Sequence, residues 1–477
     1  MKEQQDTARD IKLIANRISG KAPRNSNRLK RELSLFQVVL YGLGVMIGAG
    51  IYVLIGKAAG MAGNSLWLAY IIAAVIATLT GLSYAELSSM YPKSGAEYVY
   101  TRRAFSSKIF SFSLSWFIIF VGAVSAATVA LGFGGYFQNL FGTPMVLNAA
   151  VLIVLLSLLN FYGLKESMKL NLLMVAVTVA GLLLIIFLGI PYIGSVNYFD
   201  MRFGFEGIMA AAAFIFFAYL GFEDIVNISE EAKKPRTAIP KAIIISVLIT
   251  TVLYVLVSIS AVSILPWQDL AKSSAPLADV AGAVIPNFSG AFSIFALVAT
   301  ASTVLIFLIA YSRMLYGMTE EHSLPKIFSS LHPTRRTPWV AIFSLMFVAL
   351  LFVLIGDIKT VASITDFGAF LIFSFVNLSL IWLRYKEPSV ERNFRVPINI
   401  GVFPVLPFLG LLFSVVMLFQ FNWSIVILSI AIIASGAIVY KFLDEISDAA
   451  VSGANFVRKI IDNGASVLGK KETKKAG

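Results

Sequence analysis

Long apolar segments separated by short polar segments occupy most of this 477-residue chain. Many of them have the length of about 20 residues that crosses the hydrocarbon core of a bilayer as an α-helix. Two charge-free segments, 109–164 and 396–440, are too long for one crossing and are interrupted by turn-forming residues at Gly142–Pro144 and Gln420–Asn422. We therefore predict an all-α integral membrane protein with twelve transmembrane helices, named spans 1 to 12. The spans begin near Ser34, Ser65, Ile109, Met145, Leu170, Gly207, Ala242, Phe288, Pro338, Phe367, Val402 and Trp423.

Composition and charge agree with this class of protein. The chain is 58% hydrophobic and 13% charged, whereas about 25% of the residues of a soluble domain are charged. If both termini are cytoplasmic, only four of the 38 Lys and Arg residues lie outside the cell: Lys57, Arg202, Lys272 and Lys359. This distribution obeys the positive-inside rule, and it accounts for the net charge of +12 without a nucleic acid partner.

Polar tails flank the membrane domain, which comprises residues 34–441. Residues 1–33 form a basic tail without an apolar core of signal-peptide length, and residues 442–477 form a second tail, so we predict that both are cytoplasmic. The chain has no cysteine, and its two histidines lie in one basic loop. We therefore predict no disulfide, no metal site of cysteine and histidine, and no enzymatic nucleophile.

Span 1 contains a cluster of glycines at Gly42, Gly44, Gly48, Gly50 and Gly56. Each glycine in a helix interior costs about 1 kcal/mol relative to alanine, so the cluster predicts a break in the helix. Unpaired backbone groups at membrane depth are tolerated only where they line a cavity or bind a ligand. The break is therefore a candidate binding site.

Span 6 contains a second predicted break. The segment 214–231 begins as an apolar helix, reaches Gly221, and then places Glu223 and Asp224 at membrane depth, where carboxylates are costly. Breaks in spans 1 and 6 are typical of transporters built from inverted repeats of five helices. The repeats would be residues 34–193 and 205–386, with two further helices in 400–441.

Two polar segments between the spans have amphipathic character. Glu97 and the basic residues that follow it alternate with aromatic residues, which predicts a short interfacial helix after span 2. The segment 266–286 is the largest outer loop and is compatible with a lid of short helices.

Six stretches occur in the order that is typical of one carrier family, among them Gly42-Leu-Gly-Val-Met-Ile-Gly-Ala-Gly-Ile-Tyr52 and Phe217-Ala-Tyr-Leu-Gly-Phe-Glu223. The others lie within 84–98, 230–240, 312–326 and 393–397. Over about residues 30–441 the chain resembles the amino acid-polyamine-organocation (APC) transporters, in particular the basic-amino-acid and heteromeric-exchanger branches. The resemblance implies a leucine-transporter-like fold with helices 1 and 6 unwound. It also implies secondary active or exchange transport of α-amino acids, of neutral or broad range, across the cell membrane by alternating access.

The resemblance also implies a set of substrate-binding residues. The α-carboxylate would be bound by the amides of Ala49, Gly50 and Ile51, at the positive end of a half-helix. The α-ammonium would be bound by backbone carbonyls of spans 1 and 6, which are those of Met46, Ile47, Phe217, Ala218 and Leu220. Glu223 either binds the substrate or a proton, or it satisfies backbone groups of span 6.

Coupling to Na⁺ or H⁺ remains open at this stage, and no other cofactor is predicted. By similarity to sodium-coupled relatives, the sodium ligands would be Gly44, Ile47, Ala299, Ser302 and Thr303. Alternatively, these hydroxyls bond to their own helical turn. Several proton-coupled members have a lysine in helix 5 where this chain has Thr178, so Glu223 is the first candidate for a proton site. Arginine carriers can have an acid in helix 3 where this chain has Val121.

Two alternative functions follow from the same residues. The first is a carrier of cationic amino acids or polyamines, and the second is a membrane sensor that binds an amino acid without transporting it. The sequence identifies the amino acid and the lipid bilayer as partners, but it does not identify a partner subunit.

Overall fold

The computed structural model describes residues 31, 33–93, 96–273, 275–320 and 324–442. The predicted tails therefore lie almost entirely outside the described residues. Within these residues, nine helices are long and apolar enough to cross a membrane, and three shorter helices are also apolar. The chain thus has the architecture of a multi-pass membrane protein.

The helices follow one another with short connections. The first half contains α1 (Leu35–Met46), α2 (Ala49–Ala62), α3 (Leu66–Met90), α4 (Ala96–Phe105), α5 (Lys108–Phe141), α6 (Met145–Tyr162) and α7 (Leu164–Gly189). The second half contains α8 (Gly204–Ile215), α9 (Pro235–Ile264), α10 (Trp267–Lys272), α11 (Pro276–Val284), α12 (Ser289–Glu320), α13 (Trp339–Val353), α14 (Ile358–Lys386), α15 (Val405–Leu418) and α16 (Trp423–Phe442). A small antiparallel hairpin, β1 (Asn399–Ile400) and β2 (Phe403–Pro404), precedes α15.

Several helices begin earlier than the apolar pattern predicted. Helix α9 begins at Pro235 rather than near Ala242, and α14 begins at Ile358 rather than near Phe367. The apolar pattern locates the part of a helix that can lie in hydrocarbon, whereas the hydrogen-bonded helix continues into polar turns at its ends. The predicted interfacial helix and the predicted lid correspond to α4 and to α10 with α11.

The long helices pack side by side around the two interrupted ones. Helix α9 packs along α3 and α1, while α12 packs along α5 and α7, and α14 packs along α5. Helices α4 and α10 follow opposite ends of this bundle, which we call the α4 end and the lid end. This packing holds the central segments of spans 1 and 6 between long continuous helices.

Candidate functional site

The first break lies between α1 and α2. Helix α1 starts with a capping box, in which Ser34 and Gln37 exchange hydrogen bonds between side chain and backbone. It ends at Met46, because Ile47 has φ −80° and ψ 85° and Gly48 has φ −153° and ψ −134°, both outside the helical region. Since no side chain caps the start of α2, the amides of its first turn are available to a ligand.

Span 6 breaks at the corresponding depth. Helix α8 ends at Ile215, a 3₁₀ turn covers Phe216–Tyr219, and Leu220 is extended with ψ 142°. Gly221 has φ +113°, a conformation that favours glycine. The chain then continues as 3₁₀ turns over Glu223–Glu231, so the second part of the span is wound more tightly than an α-helix.

The two breaks contact each other directly. A Cβ atom added to Gly50 would lie 2.2 Å from the Cα atom of Ala218, and one added to Gly221 would lie 2.1 Å from Cγ1 of Val45. Side chains larger than hydrogen therefore do not fit at either position without separating the two segments. The glycines that interrupt spans 1 and 6 are also the residues that allow these spans to touch.

A tyrosine of α9 joins the same two segments. The hydroxyl of Tyr254 lies 2.5 Å from the carbonyl oxygen of Met46 and 3.0 Å from that of Ala218. A hydroxyl has one proton, so it donates to one of the two carbonyls at a time. Both carbonyls belong to the predicted ammonium site, and a tyrosine in an apolar helix gave no sign of this role in the sequence.

Replacing Tyr254 with phenylalanine is expected to weaken the contact between the breaks. The ring would keep its packing against Tyr70 and Tyr219, whose centroids lie 5.5 and 5.4 Å away. The Met46 carbonyl would keep its bond from the Gly48 amide, but the buried Ala218 carbonyl would lose the Tyr254 donor, which costs about 1–3 kcal/mol of unfolding free energy. The thermal midpoint of the purified protein should fall, and an added amino acid substrate should restore more stability than in the wild type. An unchanged midpoint would show that the hydroxyl does not join the segments.

The backbone carbonyls that were predicted to bind the ammonium group differ in the hydrogen bonds that they accept. The Met46 carbonyl accepts from the Gly48 amide at 3.0 Å as well as from Tyr254, and the Phe217 carbonyl accepts from the Leu220 amide at 3.2 Å. Glu223 accepts a 2.9 Å hydrogen bond from the Gly221 amide. This bond is the backbone contact of one of the two alternatives for Glu223, and substrate or proton binding stays a prediction.

A small cavity lies beside the span-6 break. Between α3, α4, α5, span 6, α12 and α14 it leaves only about 10 Å³ of room for a water-sized sphere, so the space is nearly closed in this structure. Its polar lining residues are Tyr84, Glu97, Ser125, Glu223 and Tyr311, and its apolar lining residues are Ile118, Val121, Leu220, Phe307, Ala369, Ile372 and Phe373. We call this space the central cavity. It combines apolar walls with two carboxyl groups.

A second cavity of about 570 Å³ lies at the lid end, next to α2. Its lining includes Val53, Lys57, Tyr136 and Lys272. The Tyr136 hydroxyl donates a 2.8 Å hydrogen bond to the carbonyl of Tyr52 in α2. The breaks therefore lie between a cavity at the lid end and the central cavity.

The predicted sodium ligands are partly brought together. Thr303 lies against the first break, because a Cβ atom on Gly48 would come within 1.6 Å of its hydroxyl and 3.4 Å of the Ala299 carbonyl oxygen. The Thr303 hydroxyl bonds back to Ala299 at 3.1 Å, which is the alternative described above. The Ser302 hydroxyl instead donates to Asn171 at 2.8 Å, and Gly44 also packs near that Asn171 side chain. Sodium binding stays a prediction.

The charged residues near the α4 end divide into buried pairs and a surface pair. Glu86 is buried and binds Arg384 through both carboxylate oxygens, at 2.9 and 2.5 Å. Arg313 lies 3.7 Å from Glu231, and both side chains are buried. By contrast, the pair of Arg236 and Glu391 is exposed.

The helical bundle and its two interrupted spans define a multi-pass membrane protein with irregular backbone where spans 1 and 6 meet. The chain belongs to the amino acid permease family, whose profile matches residues 33–440. It is similar to the branched-chain amino acid permease BcaP of Bacillus subtilis, with 30% identity over 86% of this chain and 92% of that protein. It is also similar to the methylthioribose transporter of Bacillus subtilis, with 31% identity over 81% of this chain and 88% of that protein.

A third relative comes from an animal. Cationic amino acid transporter 4 of Mus musculus is 31% identical over 76% of this chain and 61% of its own length. The relatives are transporters, so the chain is a permease rather than an enzyme. Their names cover branched-chain amino acids, cationic amino acids and methylthioribose, so they do not specify one substrate class.

Proposed function

We propose that this chain is a secondary transporter of α-amino acids, of neutral or broad range, that works by exchange or secondary active transport in the cell membrane. The observation that carries the proposal is the direct contact of two broken helices, at Gly50 with Ala218 and at Gly221 with Val45, in a member of a permease family. Uncapped amides of α2 suit the carboxylate, and the carbonyls near Tyr254 suit the ammonium group. The alternating access would separate and rejoin these segments.

The proposed topology has twelve crossings and two inverted repeats. The short helix α1 and the adjoining α2 would form span 1, and the 41-residue helix Gly50–Met90 would bend at residues 63–65 to continue as span 2. The shorter helices α13 and α15 would complete the count. Each proposed repeat, 34–193 and 205–386, then begins with an interrupted helix, and both termini and the α4 end are cytoplasmic.

A carrier of cationic amino acids or polyamines is the second candidate. Glu97 and Glu223 line the central cavity, and carboxylates suit a cationic side chain, while Val121 in its wall favours an apolar one. Uptake of labelled alanine, leucine and isoleucine into proteoliposomes, compared with arginine and putrescine, separates the two candidates. We expect uptake of the neutral amino acids. Binding without any flux would instead support the sensor function.

Coupling to sodium has its own test. If Ala299, Ser302 and Thr303 form an ion site, replacing sodium with choline should reduce uptake, because the ion and the substrate would bind to the same segment of span 1. Thr303→Val removes the hydroxyl while keeping the shape of the side chain, and it should reproduce the effect of choline. Uptake that is equal in sodium and choline would leave exchange, facilitation or proton coupling.

A further inference from the structure

Glu97 is a buried carboxyl group outside the predicted spans. It lies on α4, its exposed fraction is 2%, and it lines the central cavity. One of its oxygens accepts a 3.2 Å hydrogen bond from the Tyr84 hydroxyl, and the other has no hydrogen-bond partner. A buried carboxylate oxygen without a partner is costly unless the group binds a cation or a proton.

The neighbouring groups do not neutralise this carboxyl. Across the central cavity, span 6 contributes Glu223; the next residue, Asp224, is also buried, and one of its oxygens has no hydrogen-bond partner. The tyrosines that face the cluster are Tyr84 of α3, Tyr100 of α4 and Tyr311 of α12. Within the described residues, no salt bridge joins Glu97, Glu223 or Asp224 to a cation.

Two cations of α14 that lie near α4 are engaged elsewhere. On α14, Arg384 binds Glu86, and Lys386 binds the carbonyls of Arg103 and Ala104 at the far end of α4. Helix α5 and the remainder of α14 contribute only neutral residues to the cavity: Ile118, Val121, Ser125, Ala369, Ile372 and Phe373. Carboxylates that face each other without a cation disfavour each other's ionised forms, which favours a proton bound between them.

We propose that Glu97 is the proton-binding residue of the transport cycle and that it holds the proton in the central cavity, facing Glu223. This inference rests on the proposed transport function. The Glu97 carboxylate would take a proton from solvent when the cavity opens on one side and return it on the other, so that only an O–H bond forms and breaks. Because Glu97 lies on α4, the proposed proton site is separate from span 5, where Thr178 provides no titratable group.

The environment of Glu97 favours the gain and loss of a proton by its carboxyl group near neutral pH. Burial raises the pKa of the Glu97 carboxyl from 4.5 to about 7, against smaller opposing effects of hydrogen bonds from its own helix and from Tyr84. A raised pKa means that the folded protein holds the proton more tightly than the unfolded chain. The resulting stability is full at low pH and is lost as pH rises from 4.5 through about 7.

The test compares two activities of the full-length protein in proteoliposomes. Counterflow of labelled isoleucine without a gradient reports transport alone, and accumulation driven by an acidic exterior reports proton coupling. Glu97→Gln imitates the protonated carboxyl, so we expect it to keep counterflow but to lose gradient-driven accumulation. Glu391→Gln removes an exposed carboxylate at the same end and should behave as wild type. Full proton-driven accumulation by Glu97→Gln would overturn the proposal.

Further outcomes separate this inference from the proposed function. Wild-type counterflow without any proton-driven accumulation would overturn the inference and leave transport intact, whereas no flux of any amino acid would overturn both. If Glu97→Gln does not fold, Glu97→Asp keeps a carboxyl and should retain accumulation with a displaced pH profile. Accumulation with the wild-type profile would contradict the proposal.

The thermal midpoint of the wild-type protein should also fall between about pH 5 and pH 8, and Glu97→Gln should flatten this dependence. A flat wild-type profile would contradict it.

Discussion

Replacing Gly50 with alanine should abolish amino acid uptake while leaving the protein folded. The added methyl group would lie 2.2 Å from the Cα atom and 2.4 Å from the Cβ atom of Ala218. Because the obstacle is backbone rather than the end of a flexible side chain, spans 1 and 6 must move apart. Overpacking of this kind costs about 1–3 kcal/mol, which a large protein tolerates, but the proposed carboxylate site at the Gly50 amide would be displaced.

The measurement is initial uptake in proteoliposomes, together with the thermal midpoint and the elution profile of the purified variant. Gly290→Ala is the matched control, because a Cβ atom at that position has its nearest neighbour 3.9 Å away, at ordinary contact distance. It should transport as the wild type does. Normal uptake and normal affinity in Gly50→Ala would exclude a binding site at this amide.

Breaking the buried ion pair of Glu86 and Arg384 should cause the largest loss of stability. The side chains are 0% and 1% exposed, and Glu86 also binds Arg392 at 3.2 Å and the Val396 amide at 2.7 Å. Removing one partner of a buried pair leaves an uncompensated charge, which typically costs about 3–5 kcal/mol. Glu86→Gln should therefore lower the thermal midpoint sharply and reduce the yield of monodisperse protein.

A double variant and a surface control make this expectation specific. Combining Glu86→Gln with Arg384→Gln removes both charges, so its destabilisation should be smaller than the sum of the single effects. Arg236→Gln breaks the exposed pair with Glu391, and exposed pairs contribute about 0–1 kcal/mol. Equal losses in Glu86→Gln and Arg236→Gln would show that the buried cluster does not stabilise the fold.

The breaks could be located from the sequence because their cause is local. The glycines of span 1 lower helix propensity wherever they occur, and the positive φ of Gly221 is a conformation that favours glycine. The same reasoning placed the helices, but not their polar ends, because hydropathy reports the membrane-embedded part alone. Features that depend on one short segment, such as these helix breaks, can therefore be predicted from the sequence alone.

Other features depend on residues far apart in the chain. Tyr254 is separated from Met46 by 208 positions, and Arg384 is separated from Glu86 by 298. Glu97 lies in a segment whose charges predict a solvated interfacial helix, yet the packing of α3, span 6 and α12 buries it. The burial of these side chains and their hydrogen-bond and ion-pair partners are determined by tertiary packing. Neither helix propensity nor hydropathy therefore predicts them.

The attachment of the lid to α2 has a mechanical consequence. Gly56 packs so closely on the Leu270 carbonyl oxygen that an added Cβ atom would lie 2.4 Å from it, and the Lys57 ammonium group donates to the Ala271 carbonyl at 3.3 Å. Since α2 begins at the first break, a tilt of this helix about Ile47 and Gly48 would also move α10, which is attached to its far end. In the proposed transport cycle, opening of the lid and separation of spans 1 and 6 would therefore be coupled through this single helix.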